Sequence, residues 1–246
     1  MKRILILLFL ATFITINLTS NLTSITPEQK KIILIDPGHG GFDGGAVSKR
    51  KTIEKFLNLK IALKLKDRLK DKYDVVMTRE DDISLHNKDK DGIKSKKQQD
   101  LANRRKMIDD SNCDLFVSIH LNKFDSPNVK GCQVYYADNE KSKIFASILN
   151  ENFGAITGGK RRVPKPNQAY IILKNIETTP SVIFEGGFLT NAEEDAMLNT
   201  DEYQSKLAEV IEKSIDDYFI KIKSMENDTS NTTNENNTSN TTIMSN

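Results

Sequence analysis

Short apolar runs alternate along this chain with longer stretches of helical period, and no other feature constrains the fold as much. Residues 32–35, 74–78, 115–119, 133–137, 169–173 and 182–184 have the length and composition of strands. Residues 54–70, 98–111, 140–152 and 201–222 carry the 3.6-residue period of amphipathic helices. Phe56, Leu57, Ile61, Leu65 and Leu69 form the apolar face of the first, and Ile144, Ile148 and Leu149 that of the third. Such alternation predicts an α/β three-layer sandwich, with helices on both faces of a mostly parallel central sheet. The connection 120–132 is too short for a helical crossover, so the strands it joins are expected to be antiparallel, giving the sheet at least one antiparallel strand. Residues 79–97 and 154–166 read as exposed loops.

Both ends fall outside the pattern. Met1, Lys2 and Arg3 precede an uncharged run over residues 4–16, the layout of an export signal. Residues 1–26 are therefore read as a signal peptide, or as a membrane anchor if uncleaved. Residues 224–246 contain seven Asn, six Thr and four Ser with almost nothing to bury, which predicts a disordered tail. The remaining 31–223 is the length of one domain. In an exported chain Cys113 and Cys132 become candidates for a disulfide. However, they fall near opposite ends of the strand pair expected at 115–119 and 133–137, and two free, buried thiols are predicted instead. A net charge of +2 gives no basis for a nucleic-acid partner. The basic clusters 49–51 and 104–106 read as solvated faces.

In open α/β sheets ligands bind beyond the carboxyl ends of the strands. Here the first strand runs into Asp36-Pro37-Gly38-His39-Gly40-Gly41, the third into His120-Leu121-Asn122, and the last into Glu185-Gly186-Gly187. Glu54 opens the first helix at the same edge. Two imidazoles and a carboxylate converging with a fourth position open describe a catalytic zinc site rather than a closed structural one. The chain has no H-E-x-x-H motif, so it is not a zincin-type protease. Of the three histidines, His86 lies in the polar stretch 79–97 and reads as a surface residue. Asp36 is read as a structural residue that orients the glycine-rich turn.

These stretches resemble the zinc-dependent N-acetylmuramoyl-L-alanine amidases of bacterial cell walls, in their type 3 catalytic domain. The resemblance rests on IILIDPGHGGFDGGAV, IEK at 53–55, MTRE at 77–80, DLANRRKMIDDSNCDLFVSIHLNKF and PSVIFEGGFLTNAEED, and spans about residues 31–223. It implies that His39, Glu54 and His120 ligate Zn2+ and that Glu185 is the catalytic carboxylate. Zinc makes hydroxide available near neutral pH, and a neighbouring carboxylate moves the proton to the departing amine. The implied reaction separates the lactyl carbonyl of muramic acid from L-alanine in peptidoglycan. Asn122, Arg161, Arg162 and Lys165 are candidate substrate contacts, with a structural role for Asn122 and a basic loop for the others as the alternatives. Some relatives carry a helix that occludes the zinc, inserted before the helix expected at 140. No room for one exists here, so control falls to expression, location or an activating protein. A short leader and a lone catalytic domain are most similar to the germination-specific amidase of spore-forming bacteria. That implies a role in spore-cortex maturation, where a separate deacetylase completes muramic-lactam formation. The rival readings are another zinc peptidoglycan hydrolase, such as a carboxypeptidase, and an exported wall-binding module without catalysis.

Overall fold

A computed structural model describes residues 29–87 and 92–241, from 229 onward by backbone alone. The chain divides after Lys30 into two units, and every element named below lies in the second, Lys31–Asn246. The expected leader, 1–26, lies outside the described residues. Among those described, no helix is long and apolar enough to cross a membrane.

The elements run β1 (Ile32–Pro37), α1 (Glu54–Leu69), β2 (Asp74–Met77), α2 (Ile93–Asp110), β3 (Leu115–Asn122), β4 (Gln133–Tyr136), α3 (Glu140–Thr157), β5 (Lys165–Pro166), a 3-10 turn (Ile171–Leu173), β6 (Ser181–Phe188), α4 (Ala192–Leu198) and α5 (Asp201–Thr241). They form one six-stranded sheet in the order β2-β1-β3-β6-β4-β5. All neighbours are parallel except β4 and β6. The expected antiparallel strand is therefore present and runs opposite to β3, but β6 lies between the two.

Side chains on a strand alternate between the sheet's faces, and the buried residues divide accordingly into two cores. Ile33, Ile35, Leu115, Val117 and Ile119 face the larger core, built against α1, α3 and α5 by Leu57, Ile61, Leu65, Phe145, Leu149, Leu207 and Ile211. Leu34, Phe116 and Ile183 face a smaller one, closed by Ile108 of α2 and by Ile172 and Leu173 of the 3-10 turn. This is the three-layer sandwich. Cys113 and Cys132 are free and buried, as expected.

Several boundaries differ from the sequence reading. α2 begins at Ile93 rather than 98, because its first turns are too polar to show a periodic stripe. α3 passes Gly154 and ends at Thr157, followed by Gly158 at φ +67°, since Phe153 and Ile156 still pack on the core. Residues 169–173 are not a strand: the apolar run at Ile171–Leu173 is a single 3-10 turn, a length at which apolar content does not distinguish the two. A two-residue strand, β5, occupies part of the loop expected at 154–166. On α1 the inward stripe is Leu57, Asn58, Ile61, Ala62, Leu65 and Leu69, and Phe56 lies off it, 43 % exposed. Ile222, the predicted helix end, packs on the larger core, and the helical backbone of α5 continues to Thr241, through much of the segment 224–246 expected to be disordered. Once a helix is anchored by packing, each further residue adds a hydrogen bond without a new nucleus.

Candidate metal centre

The site lies where β1, β3 and β6, three adjacent parallel strands, reach the same edge of the sheet. His39 follows β1, while His120 lies within β3 and Glu185 within β6. The latter two strands run three to four residues further than predicted because they continue to pair, past an irregularity between His120 and Asn122, as far as Phe188. His120 and Glu185 are register partners on neighbouring strands, so their side chains leave the same face of the sheet.

Glu54 is the first residue of α1 and shares the inward stripe of Leu57 and Asn58, which buries it (3 % exposed). A helix N-terminus favours a carboxylate. Its Oε2 accepts from the backbone N–H of Ala46 at 2.7 Å, and its Oε1 from that of Leu121 at 3.0 Å and from Asn58 Nδ2 at 3.2 Å. Around Oε1 stand His39 Nε2 at 3.2 Å and His120 Nδ1 at 3.1 Å. One ligand-type atom from each of His39, Glu54 and His120 lies within 4.8 Å of the others, the separation expected of groups that could share one metal ion. Burial pushes the Glu54 carboxyl up, but the two imidazoles outweigh it and hold the group well below its usual range. Burial likewise lowers His39, yet Asp43 and Glu54 raise it to about 9. Two carboxylates around one imidazole thus make the spot attractive to positive charge.

Glu185 has the opposite character. Burial dominates and lifts its carboxyl to about 7, His120 opposing and Glu54 reinforcing the rise. Its Oε2 is shielded from solvent and has no hydrogen-bond partner among the described residues. Buried carboxylate oxygens are rarely left so, and an unpaired one facing a cleft calls for a partner that enters from outside. The cleft has a volume of about 240 Å³; His39, His120 and Glu185 meet in it, and Lys97, Tyr170 and Ile171 also line it. Asn122, Arg161 and Arg162 are not among its walls. Asn122 Oδ1 accepts from the backbone of Lys123, Arg161 bridges beside Cys132, and the Arg162 guanidinium lies 4.7 Å from the centre of the Phe188 ring.

The turn 37–41 has few ladder partners, and its carbonyls are satisfied largely by side chains from elsewhere. Arg79 donates to Pro37 O and Gly38 O, Arg104 to Pro37 O and His39 O, Asn58 to Gly38 O, and Lys55 to Gly41 O. Gly38 must be glycine because a Cβ there would collide with the His120 ring. Arg104 corrects the sequence reading. It is not part of a solvated basic face but is buried (1 % exposed), bonded to Asp36 at 2.5 Å and Asp100 at 2.7 Å. Asp36, as expected, is structural: it also accepts from Thr78 and Ser118, both at 2.6 Å. His86 is half-buried rather than solvated, bonded to Ser84 at 2.8 Å and set edge-on to Phe42. Arg79 and Arg104 were missed as site-building residues, although both stand in the stretches that carry the resemblance.

Residues 33–217 match the family described as N-acetylmuramoyl-L-alanine amidase. The chain belongs to that family. It is thus a peptidoglycan hydrolase that cuts the amide between N-acetylmuramic acid and L-alanine, and its cell-wall substrate places its action outside the cytoplasm. The amidase is 38 % identical over 199 residues to the germination-specific N-acetylmuramoyl-L-alanine amidase of Bacillus subtilis, covering 78 % of this chain and 81 % of that one. Among solved structures, it is similar to the CwlD amidase of Clostridioides difficile in complex with the GerS lipoprotein. There the identity is 38 % and the TM-score 0.74, over 77 % of this chain and 98 % of that one. The catalytic domain of CwlV from Bacillus (Paenibacillus) polymyxa is similar at 34 % identity and a TM-score of 0.66, over 77 % and 98 %. The two solved structures share the fold of the amidase, a mixed sheet with flanking helices.

Proposed function

We propose that His39, Glu54 and His120 hold a zinc ion and that Glu185 is the proton-transferring carboxylate of amide hydrolysis. The observation that carries this is the convergence of three ligand-type atoms beside an orphaned carboxylate oxygen. The donor set of two imidazoles and one carboxylate suits a catalytic zinc site. When bound, zinc supplies Lewis-acid polarisation of a carbonyl and acidifies a water molecule. The chain's own residues do the rest. Two backbone N–H groups and Asn58 hold the Glu54 carboxylate in one orientation. Glu185, with its proton affinity lifted to about 7, can take a proton from the attacking water and return it to the departing amino group of L-alanine. Asn122, Arg161 and Arg162, outside the cleft, are proposed contacts for the extended substrate; the exposure of Arg161 supports its part in this.

The test is zinc content measured beside peptide release from purified peptidoglycan. Glu185→Ala should keep the metal and lose release; retained turnover would remove Glu185 from the mechanism. His39→Ala and His120→Ala should each lower zinc content, and unchanged stoichiometry would remove them as ligands.

In the cell, we place this reaction in spore-cortex maturation, with stem-peptide removal preparing muramic acid for a separate deacetylase and lactam formation. The germination-specific relative supports this role. The complex of the C. difficile relative with a lipoprotein supports an activating partner for this chain. Residues 1–26 would deliver the domain 31–223 as a signal peptide or anchor, with 224–246 as a tether or a dispensable tail. Loss of muramic lactam from the cortex of spores lacking the protein is the expected result, and unchanged cortex composition would refute the role.

A further inference from the structure

Of the three proposed ligands, Glu54 belongs to a helix and His120 to a strand, whereas His39 stands in a turn. Its backbone lies in the left-handed region at φ +61°, and the next two residues, Gly40 and Gly41, also have positive φ. No ladder fixes its ring, so side-chain partners must. Nε2 faces Glu54, and on the far side of the ring Nδ1 stands 3.0 Å from Asp43 Oδ2. An imidazole that donates Nδ1–H to a carboxylate keeps its lone pair on Nε2 and becomes a stronger donor to a metal there.

Asp43 is itself held. Its backbone exchanges two hydrogen bonds with Gly40, at 2.9 and 3.1 Å, and its Oδ1 accepts from the N–H of Gly45 at 3.1 Å. Its Oδ2, the oxygen turned to His39, also pairs with Lys97 Nζ at 3.0 Å. Lys97 and Arg104 both belong to α2 and stand seven residues, about two turns, apart, on one face of the helix. Arg104 Nη2 bonds to the carbonyl oxygen of His39 at 2.7 Å. One helix therefore holds His39 at both ends, by its carbonyl directly and by its ring through Asp43.

We infer that Asp43 is a positioning residue that fixes the tautomer and orientation of His39 for the metal, and that Lys97 of α2 holds Asp43 in place. The inference rests on the proposed ligand role of His39. The experiment uses the full chain, with zinc affinity from chelator competition and the visible spectrum of the cobalt-substituted protein as readouts. Asp43→Asn keeps the shape of the side chain and removes its charge. Zinc binding should weaken roughly 10- to 100-fold and the cobalt bands should shift. Lys97→Met, at a half-exposed position, should weaken binding roughly two- to fivefold. Wild-type affinity and spectrum in a folded Asp43→Asn protein would overturn the inference. If that variant does not fold, Lys97→Met decides, and unchanged zinc affinity there would overturn it. His39→Ala separates the two layers. If it keeps zinc, the ligand reading fails; if it loses zinc while Asp43→Asn binds normally, only the positioning role fails.

Discussion

The two faces of the sheet are built from different materials. The face under α1, α3 and α5 carries the larger apolar core, with Ile33, Ile61, Phe145, Leu149 and Ile211 fully buried, and its buried polar groups include Glu54 and Asn58 at the start of α1. The face under α2 has a smaller apolar core and, toward the cleft, a buried ionic cluster of Asp36, Arg104 and Asp100. Apolar burial is non-directional and suits a face that has only to hold the sheet together. Ion pairs and hydrogen bonds are directional, and they occur where a turn with few ladder partners must present His39 at a set angle. The larger apolar core lies on one side of the sheet and the buried ion pairs that hold the His39 turn on the other, with Glu54 and Asn58 of α1 reaching the site from the apolar side.

The comparison can be broken at four places. Glu185→Gln should reduce hydrolysis by roughly 10²- to 10⁴-fold with little change in melting temperature; loss of folding instead would make Glu185 a structural residue. Phe145→Ala, in the large core and edge-on to Tyr218, should cost about 3–5 kcal/mol in urea unfolding while the folded fraction keeps its specific activity. Arg104→Met leaves the Asp36 and Asp100 carboxylates without their shared cation and should cost about 3–5 kcal/mol. Unlike Phe145→Ala, it should also lower the activity of the folded fraction, because the His39 carbonyl loses its donor; equal specific activity would erase the distinction between the faces. Lys106→Ala, two residues along the same helix in an exposed pair with Asp110, should change stability by less than about 1 kcal/mol.

Acid provides a further probe of the ionic face. Burial raises the Asp36 carboxyl, but Arg104, Ser118 and Thr78 together outweigh it and hold the group below its ordinary value of 3.8. A depressed carboxyl contributes its stability in full above the unfolded value and loses it as pH falls through the folded one. Below pH 4 the wild type should therefore lose stability more steeply than Asp36→Asn, which lacks that ionisation. Parallel acid limbs in unfolding curves would show that Asp36 does not carry the effect.

Much of the site could be read locally. His39, His120 and Glu185 follow or extend apolar runs, and Glu54 opens an amphipathic helix, so parallel topology alone brings them to one edge. Arg104 could not be found this way. Beside Arg105 and Lys106 it looks like any solvated cluster, and only the crossing of α2 over the end of β1 sends it inward. Lys97 was equally hidden, in a polar stretch whose helix has no apolar stripe to announce it. Phe56 and the run at 169–173 failed for the complementary reason, since apolar character states a tendency to be buried without naming the face or the backbone form.

The layer architecture, the two free thiols and the residue types at the sheet's edge are legible in the chain alone, because periodicity and strand ends are local properties of the chain. The position of β6 between β3 and β4, the inward turn of Arg104 and the Asp43 contact behind His39 emerge only in the assembled fold. Those depend on which distant segments meet, and a buried charge is stable only where the fold supplies its partner.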